Sequence, residues 1–91
     1  MRLDQFLRAS RLVVRRAVAQ EMCEAGAVEV NGVAACSSRA VRVGDEITVR
    51  RRGRTVTARV VALPDSRNVS KSQAHTLYET VRDERTEEDA I

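Results

Sequence analysis

The sequence predicts an α+β fold: two N-terminal helices on a small bent antiparallel sheet, with a C-terminal helix. Three patterns predict it. Apolar residues recur at helical spacing through the first 25 positions. They then alternate between turn pairs from 27 to 63, and helical spacing returns after Ser70. At 91 residues the chain holds one core, since a second could not bury enough surface to stand alone. The expected division is 1–63 for the helices and sheet, 64–85 for a C-terminal helix packed on them, and 86–91 for an acidic tail in solvent.

In the first helix Leu3, Phe6 and Leu7 fall at i, i+3 and i+4, with Asp4 in the first turn, where a carboxylate meets the positive end of the helix dipole. The ASRLVV segment that follows carries a cap candidate, Ser10, and β-branched residues that do not favour a helix. A second helix, from about Arg15 to Ala25, presents Val18, Met22 and Ala25 on one face with Ala19 and Cys23 alongside. Gly26 suits the left-handed residue that ends it. Two arginines at the start of this helix are a misfit, because the first N–H groups and the dipole both favour anions there. If Ser10 caps the helix instead, the arginines lie inside it and the misfit weakens.

Ala27–Val30 alternates like an edge strand, and Asn31-Gly32 is a hairpin turn pair ahead of Val33. Val41 and Val43 lead to a second turn at Gly44-Asp45. Residues 46–50 alternate again, Gly53 interrupts, and Thr55 to Leu63 forms a longer β-rich run ended by Pro64-Asp65. At Ser70 a capping box with Gln73 opens the last helix, whose stripe is Ala74, Leu77, Tyr78 and Val81. The charged stretch from Asp83 is expected to fray.

Charge is segregated. Arg2, Arg8, Arg11, Arg15 and Arg16 against Asp4 make residues 1–16 net +4. Residues 39–59 are net +5, and the last ten residues are net −3. Lys71 is the only lysine among 16 basic residues. Guanidinium pairs bidentately with phosphate where ammonium acts as a point charge, so clustered arginine points to nucleic acid. The identity alone could reflect a GC-rich genome; the clustering could not. With Phe6 and Tyr78 as the only aromatics, stacking on single strands is disfavoured, and structured RNA read by shape and phosphate fits better.

Other chemistry is sparse. Cys23 and Cys36 lack paired metal-ligand spacing and His75 stands far from both, so no metal and no cofactor are expected. Cys23 reads as a small core residue, and His75 as a solvent-facing one. No apolar run approaches a membrane span. The opening MRLDQFLRAS lacks the long apolar stretch and cleavage site of an export signal, so a cytoplasmic location is expected.

The succession RLDQFLRASRLVVRRAVAQEMCEAGAVEVNG, followed by VRVGDEITV, resembles the alpha-L RNA-binding domain first recognised in ribosomal protein S-four. The matching parts are Arg16 at the start of the second helix, Gly26, the Val28–Gly32 hairpin, and Gly44-Asp45. Within that superfamily MRLDQFL, SRL, RRA and AHTLYETVRDER are most similar to small stand-alone members. These are the family of ribosome-associated quality control factor P and its relative, heat-shock protein fifteen. The resemblance implies an RNA-binding protein that associates with obstructed large ribosomal subunits, contacting rRNA and tRNA. It also implies assistance to an RqcH-type (NEMF-family) factor that adds alanine tails to stalled chains. A monomer and no enzymatic activity are expected.

Arg2, Arg8, Arg11, Arg15 and Arg16 are the candidate RNA-binding residues, with Arg16 foremost by family position. Asp4 is expected to orient Arg16 or Arg8. Arg50, Arg51, Arg52 and Arg54 crowd a hairpin tip and fit either a secondary RNA contact or a solvated loop. Three other readings compete. An RNA-modifying enzyme would need a catalytic domain that the chain has no room for. A protein-interaction module would use the Ala74–Val81 stripe. A heat-shock-protein-fifteen-like binder would rescue blocked subunits without tailing.

Overall fold

The computed structural model describes residues 1–65 and 69–85. In chain order it contains α1 (Leu3–Ala9), α2 (Arg16–Glu24), β1 (Val28–Val30), β2 (Val33–Ala34), β3 (Glu46–Arg51), β4 (Arg54–Val60), α3 (Lys71–Ala74) and β5 (Tyr78–Arg85). The strands form one antiparallel sheet in the order β2-β1-β3-β4-β5.

Alternation along the strands sorts the two faces of this sheet. Val28, Val30, Ile47, Val49, Ala58 and Val60 are buried on one face, and Leu3, Phe6 and Leu7 of α1 join them with no exposed surface. The opposite face is polar: Thr48 and Thr57 share a hydroxyl hydrogen bond of 3.0 Å, and Glu29 pairs with Arg50 across β1 and β3. A core of aliphatic side chains with a single Phe thus forms between helices and sheet.

The two turn pairs of the sequence are joined in space. Asn31 and Gly32 both have positive φ, 53° and 84°, as a two-residue type I′ hairpin requires, and Val30 pairs with Val33 across them. The Asn31 amide donates to an Asp45 carboxylate oxygen at 3.1 Å, while its carbonyl oxygen accepts from the Glu46 N–H at 2.9 Å. The Gly44 N–H in turn donates to the Val60 carbonyl. The N-terminal segment is tied down as well: the Leu3 N–H donates to Arg39 and the Val41 N–H to Met1, with a β-bridge between Arg2 and Ala40.

Four expectations need correction. The C-terminal helix expected within 64–85 is cut to the single turn of α3, and Tyr78–Arg85 is the edge strand β5. Ser70 does cap α3, accepting from the Gln73 N–H, but Thr76 then closes the turn by donating its hydroxyl to the Gln73 carbonyl. Tyr, Thr and Val in YETVRDER favour a pleated surface, and the open edge of β4 offers one. Arg54–Asp83 and Arg59–Glu79 pairs fasten it. Residues 83–85 therefore belong to the sheet; residues 86–91, read as a tail, lie outside the described residues. β1 is an interior strand, because the two-residue β2 covers its outer edge. Finally, α2 buries Ala19 and Cys23 most deeply, and of the Val18, Met22 and Ala25 face only Met22 packs partly against the core. Small side chains let α2 approach closely, and Val18 is left 40% exposed.

Candidate nucleic-acid interface

Both N-terminal helices begin at an arginine. Arg2 is the N-cap residue of α1 and Arg15 that of α2, and neither side chain caps its helix. Helix α2 has no acidic residue in its first turn. Its first N–H groups, on Arg16, Ala17 and Val18, have no intrahelical acceptor, and no carboxylate of the helix's own first turn offsets the positive dipole end. The misfit read from the sequence is therefore real. Ser10 does not cap α2: it ends α1, donating its hydroxyl to the Leu7 carbonyl and accepting weakly from the Leu12 N–H.

Behind this helix start lies Asp4, a carboxylate with no exposed surface. Its Oδ1 accepts from Arg2 Nε at 3.2 Å and the Gln5 N–H at 2.8 Å. Its Oδ2 accepts from Arg2 Nη2 at 3.3 Å, Arg16 Nε at 3.3 Å and Gln20 Nε2 at 2.9 Å. Burial pushes the carboxyl up, yet the hydrogen bonds from Gln20 and Arg16 and the charges of Arg16 and Arg2 outweigh it. The net effect holds Asp4 below the usual carboxylate range. One buried anion thus fixes two guanidinium groups, each with more than two-fifths of its side chain still exposed. Asp4 orients Arg16, as expected; Arg8 is exposed on α1 and makes no bond to Asp4.

The charge of Arg11 is legible in the sequence, but its backbone conformation is not. The residue follows the last turn of α1 at φ 62°, where glycine is usual, and its N–H donates to the Arg8 carbonyl. A non-glycine residue held there costs about 1 kcal/mol or more. This conformation turns the chain into the connection between α1 and α2, in which Arg11, Val14 and Arg15 are exposed while Val13 is buried in the core.

That connection meets the β3–β4 hairpin. Arg51 donates from Nη2 to the Leu12 carbonyl at 2.6 Å, pinning the hairpin against the connection. Arg11, Arg51 and Arg54 consequently line one cleft of 270 Å³. Arg15, Arg50, Arg51 and Arg52 line a shallower groove of 530 Å³ beside the exposed Val14 and Val18. The two arginine clusters, read separately in the sequence, form one surface. Two arginines of the hairpin pair with carboxylates on neighbouring strands. Arg50 is paired with Glu29, and Arg54 makes a two-pronged contact with Asp83 at 3.0 and 2.7 Å. The latter bonds raise the Arg54 guanidinium and lower the Asp83 carboxyl from their ordinary values.

An uncapped helix start, aligned guanidinium groups and shallow grooves can neutralise anions along a surface. Among the described residues no group of three or more His, Cys, Asp or Glu could hold a metal, and no helix is long and apolar enough to cross a membrane. The S4 domain family matches residues 1–47, which contain both helices, the type I′ hairpin and the Gly44-Asp45 turn. An RQC P-site tRNA stabilizing factor of Listeria monocytogenes is 43% identical over 88 residues, spanning 97% of this chain and 94% of its own. That of Bacillus subtilis is 40% identical over 85 residues, spanning 93% and 96%. The Heat Shock Protein 15 of Vibrio cholerae, described as trimeric, superposes with a TM-score of 0.81 at 33% identity, covering 89% of this chain and 81% of that one. The chain belongs to the S4 domain family, in the branch that holds the RQC P-site tRNA stabilizing factors.

Proposed function

We propose that this protein binds structured RNA, the rRNA and tRNA of an obstructed large ribosomal subunit, through the arginine surface around the start of α2. In this reading it assists ribosome-associated quality control beside an RqcH-type factor that extends stalled chains with alanine, and it performs no covalent chemistry itself. The observation that carries the reading is the uncapped start of α2 with Arg16 fixed beside it by Asp4. A backbone phosphate there would accept from free N–H groups and pair with Arg15 or Arg16. Arg2 extends the contact from the same carboxylate, Arg8 and Arg11 from α1 and its exit, and the 50–54 hairpin supplies a secondary contact. The names of the relatives support the ribosomal setting.

The test is co-sedimentation with large subunits beside a thermal melt. Arg16→Ala should weaken association about tenfold or more, the worth of one charge-assisted hydrogen bond, while the domain still melts cooperatively. Unchanged association would remove Arg16 from the site. The likeness to Heat Shock Protein 15 supports a second reading, binding of blocked subunits without tailing. Alanine tails on stalled chains that vanish when this protein is deleted favour the first reading; tails that persist favour the second.

A further inference from the structure

The cleft beneath Arg11 is smaller and more enclosed than the groove beside Val14 and Val18, and apolar side chains form part of its wall. Leu12 and Val56 line it together with the partly buried Tyr78, while Arg11 and Arg51 supply charge. Arg54 also lines it, but Asp83 already neutralises Arg54 through two bonds. Arg51 uses one of its five donors on the Leu12 carbonyl, and no described residue pairs with Arg11. Two cations without a carboxylate partner therefore border a space whose wall is part polar and part apolar. At 270 Å³ that space falls just below the roughly 300–1,000 Å³ of pockets for drug-sized ligands, so it suits one planar ring system and nothing much larger.

We propose that the cleft holds a single unstacked nucleotide of the bound RNA. The base lies against Leu12, Val56 and Tyr78, and its two flanking phosphates meet Arg11 and Arg51. An internal nucleotide brings one phosphate on each side, which matches the two uncompensated guanidinium groups. A paired base could not enter, because its partner and stacked neighbours hold it within the helix; an unpaired base in a bulge or loop can be splayed out. The positive φ of Arg11 fits this role. A glycine would turn the chain there more easily but would bring no cation to the cleft. The inference rests on the RNA-binding reading above and adds a preference for unpaired nucleotides to it.

Tyr78 reports on the cleft directly, since it is the only tyrosine and the chain has no tryptophan. Three RNA hairpins are compared by anisotropy and tyrosine fluorescence: fully paired, with one bulged nucleotide, and with that nucleotide made abasic. The bulged hairpin should bind about tenfold tighter than the abasic one, the worth of a stacked base, and should alone change Tyr78 emission. Thr80→Phe, an exposed strand substitution at the mouth of the cleft, should lower the bulged hairpin to the abasic level. Arg11→Gly, which relieves the backbone and so should fold, should do the same. Equal binding of bulged and abasic hairpins with unchanged Tyr78 emission overturns the nucleotide site while leaving the RNA-binding reading intact. Failure of all three hairpins to bind overturns that reading and the site with it. Free mononucleotides that alter Tyr78 emission as strongly as the bulged hairpin would assign the cleft to a soluble ligand instead.

Discussion

At the scale of single residues, Asp4 decides most. A fully buried carboxylate is costly unless paired, and here five donors meet its two oxygens. Because its folded-state value lies below that of the unfolded chain, its contribution to stability is complete above about pH 4. It is lost as pH falls through the lowered value. Asp4→Asn should cost about 1–3 kcal/mol at neutral pH and flatten the acid limb of a stability profile, measured by urea unfolding between roughly pH 2 and 7. The same variant should weaken RNA binding, since Arg2 and Arg16 lose the anion that orients them. An acid limb unchanged by the substitution would show that Asp4 contributes no such term. Asp4's role with Arg16 was legible in the sequence because a first-turn carboxylate and a helix-start arginine are recognisable features. The strained Arg11 was not, because nothing in ASRLVV replaces the glycine that usually marks a helix end.

At the scale of elements, docked turns organise the sheet. Asn31 carries a left-handed backbone and ties the β1–β2 hairpin to the Gly44-Asp45 turn through two side-chain bonds. Asn31→Ala should therefore destabilise the fold by about 1–2 kcal/mol through strain and lost hydrogen bonds. RNA affinity should hold steady, because these turns carry none of the candidate arginines. Paired denaturation and binding curves check both halves. The elements up to residue 60 were largely legible, since helical spacing, alternation and turn pairs are local signals. The C-terminal strand was not. Ala74, Leu77, Tyr78 and Val81 satisfy a helical period, but YETVRDER is claimed by the open edge of β4, a partner some twenty to thirty residues earlier. Pairing across that distance overrides local spacing. The buried face of α2 was legible only in part: Cys23 and Met22 pack on the core as expected, but close packing favours Ala19 over the larger Val18, and periodicity does not weigh side-chain size.

At the scale of the whole molecule, the formal net charge of +3 understates the field at one surface. The sequence showed two arginine clusters, but only folding reveals that the α1–α2 connection and the β3–β4 hairpin make them continuous. If four or five phosphates are neutralised there, log K should fall against log salt with a slope of about −3 to −4.5. Anisotropy across a salt series measures it, and a slope near zero would exclude a phosphate-led mode. The tethering of the first three residues to the 39–41 segment has a practical corollary. A purification handle fused ahead of Met1 would emerge next to Arg2 and drape over the surface that the assay is meant to probe. Handles for binding work therefore belong at the opposite terminus.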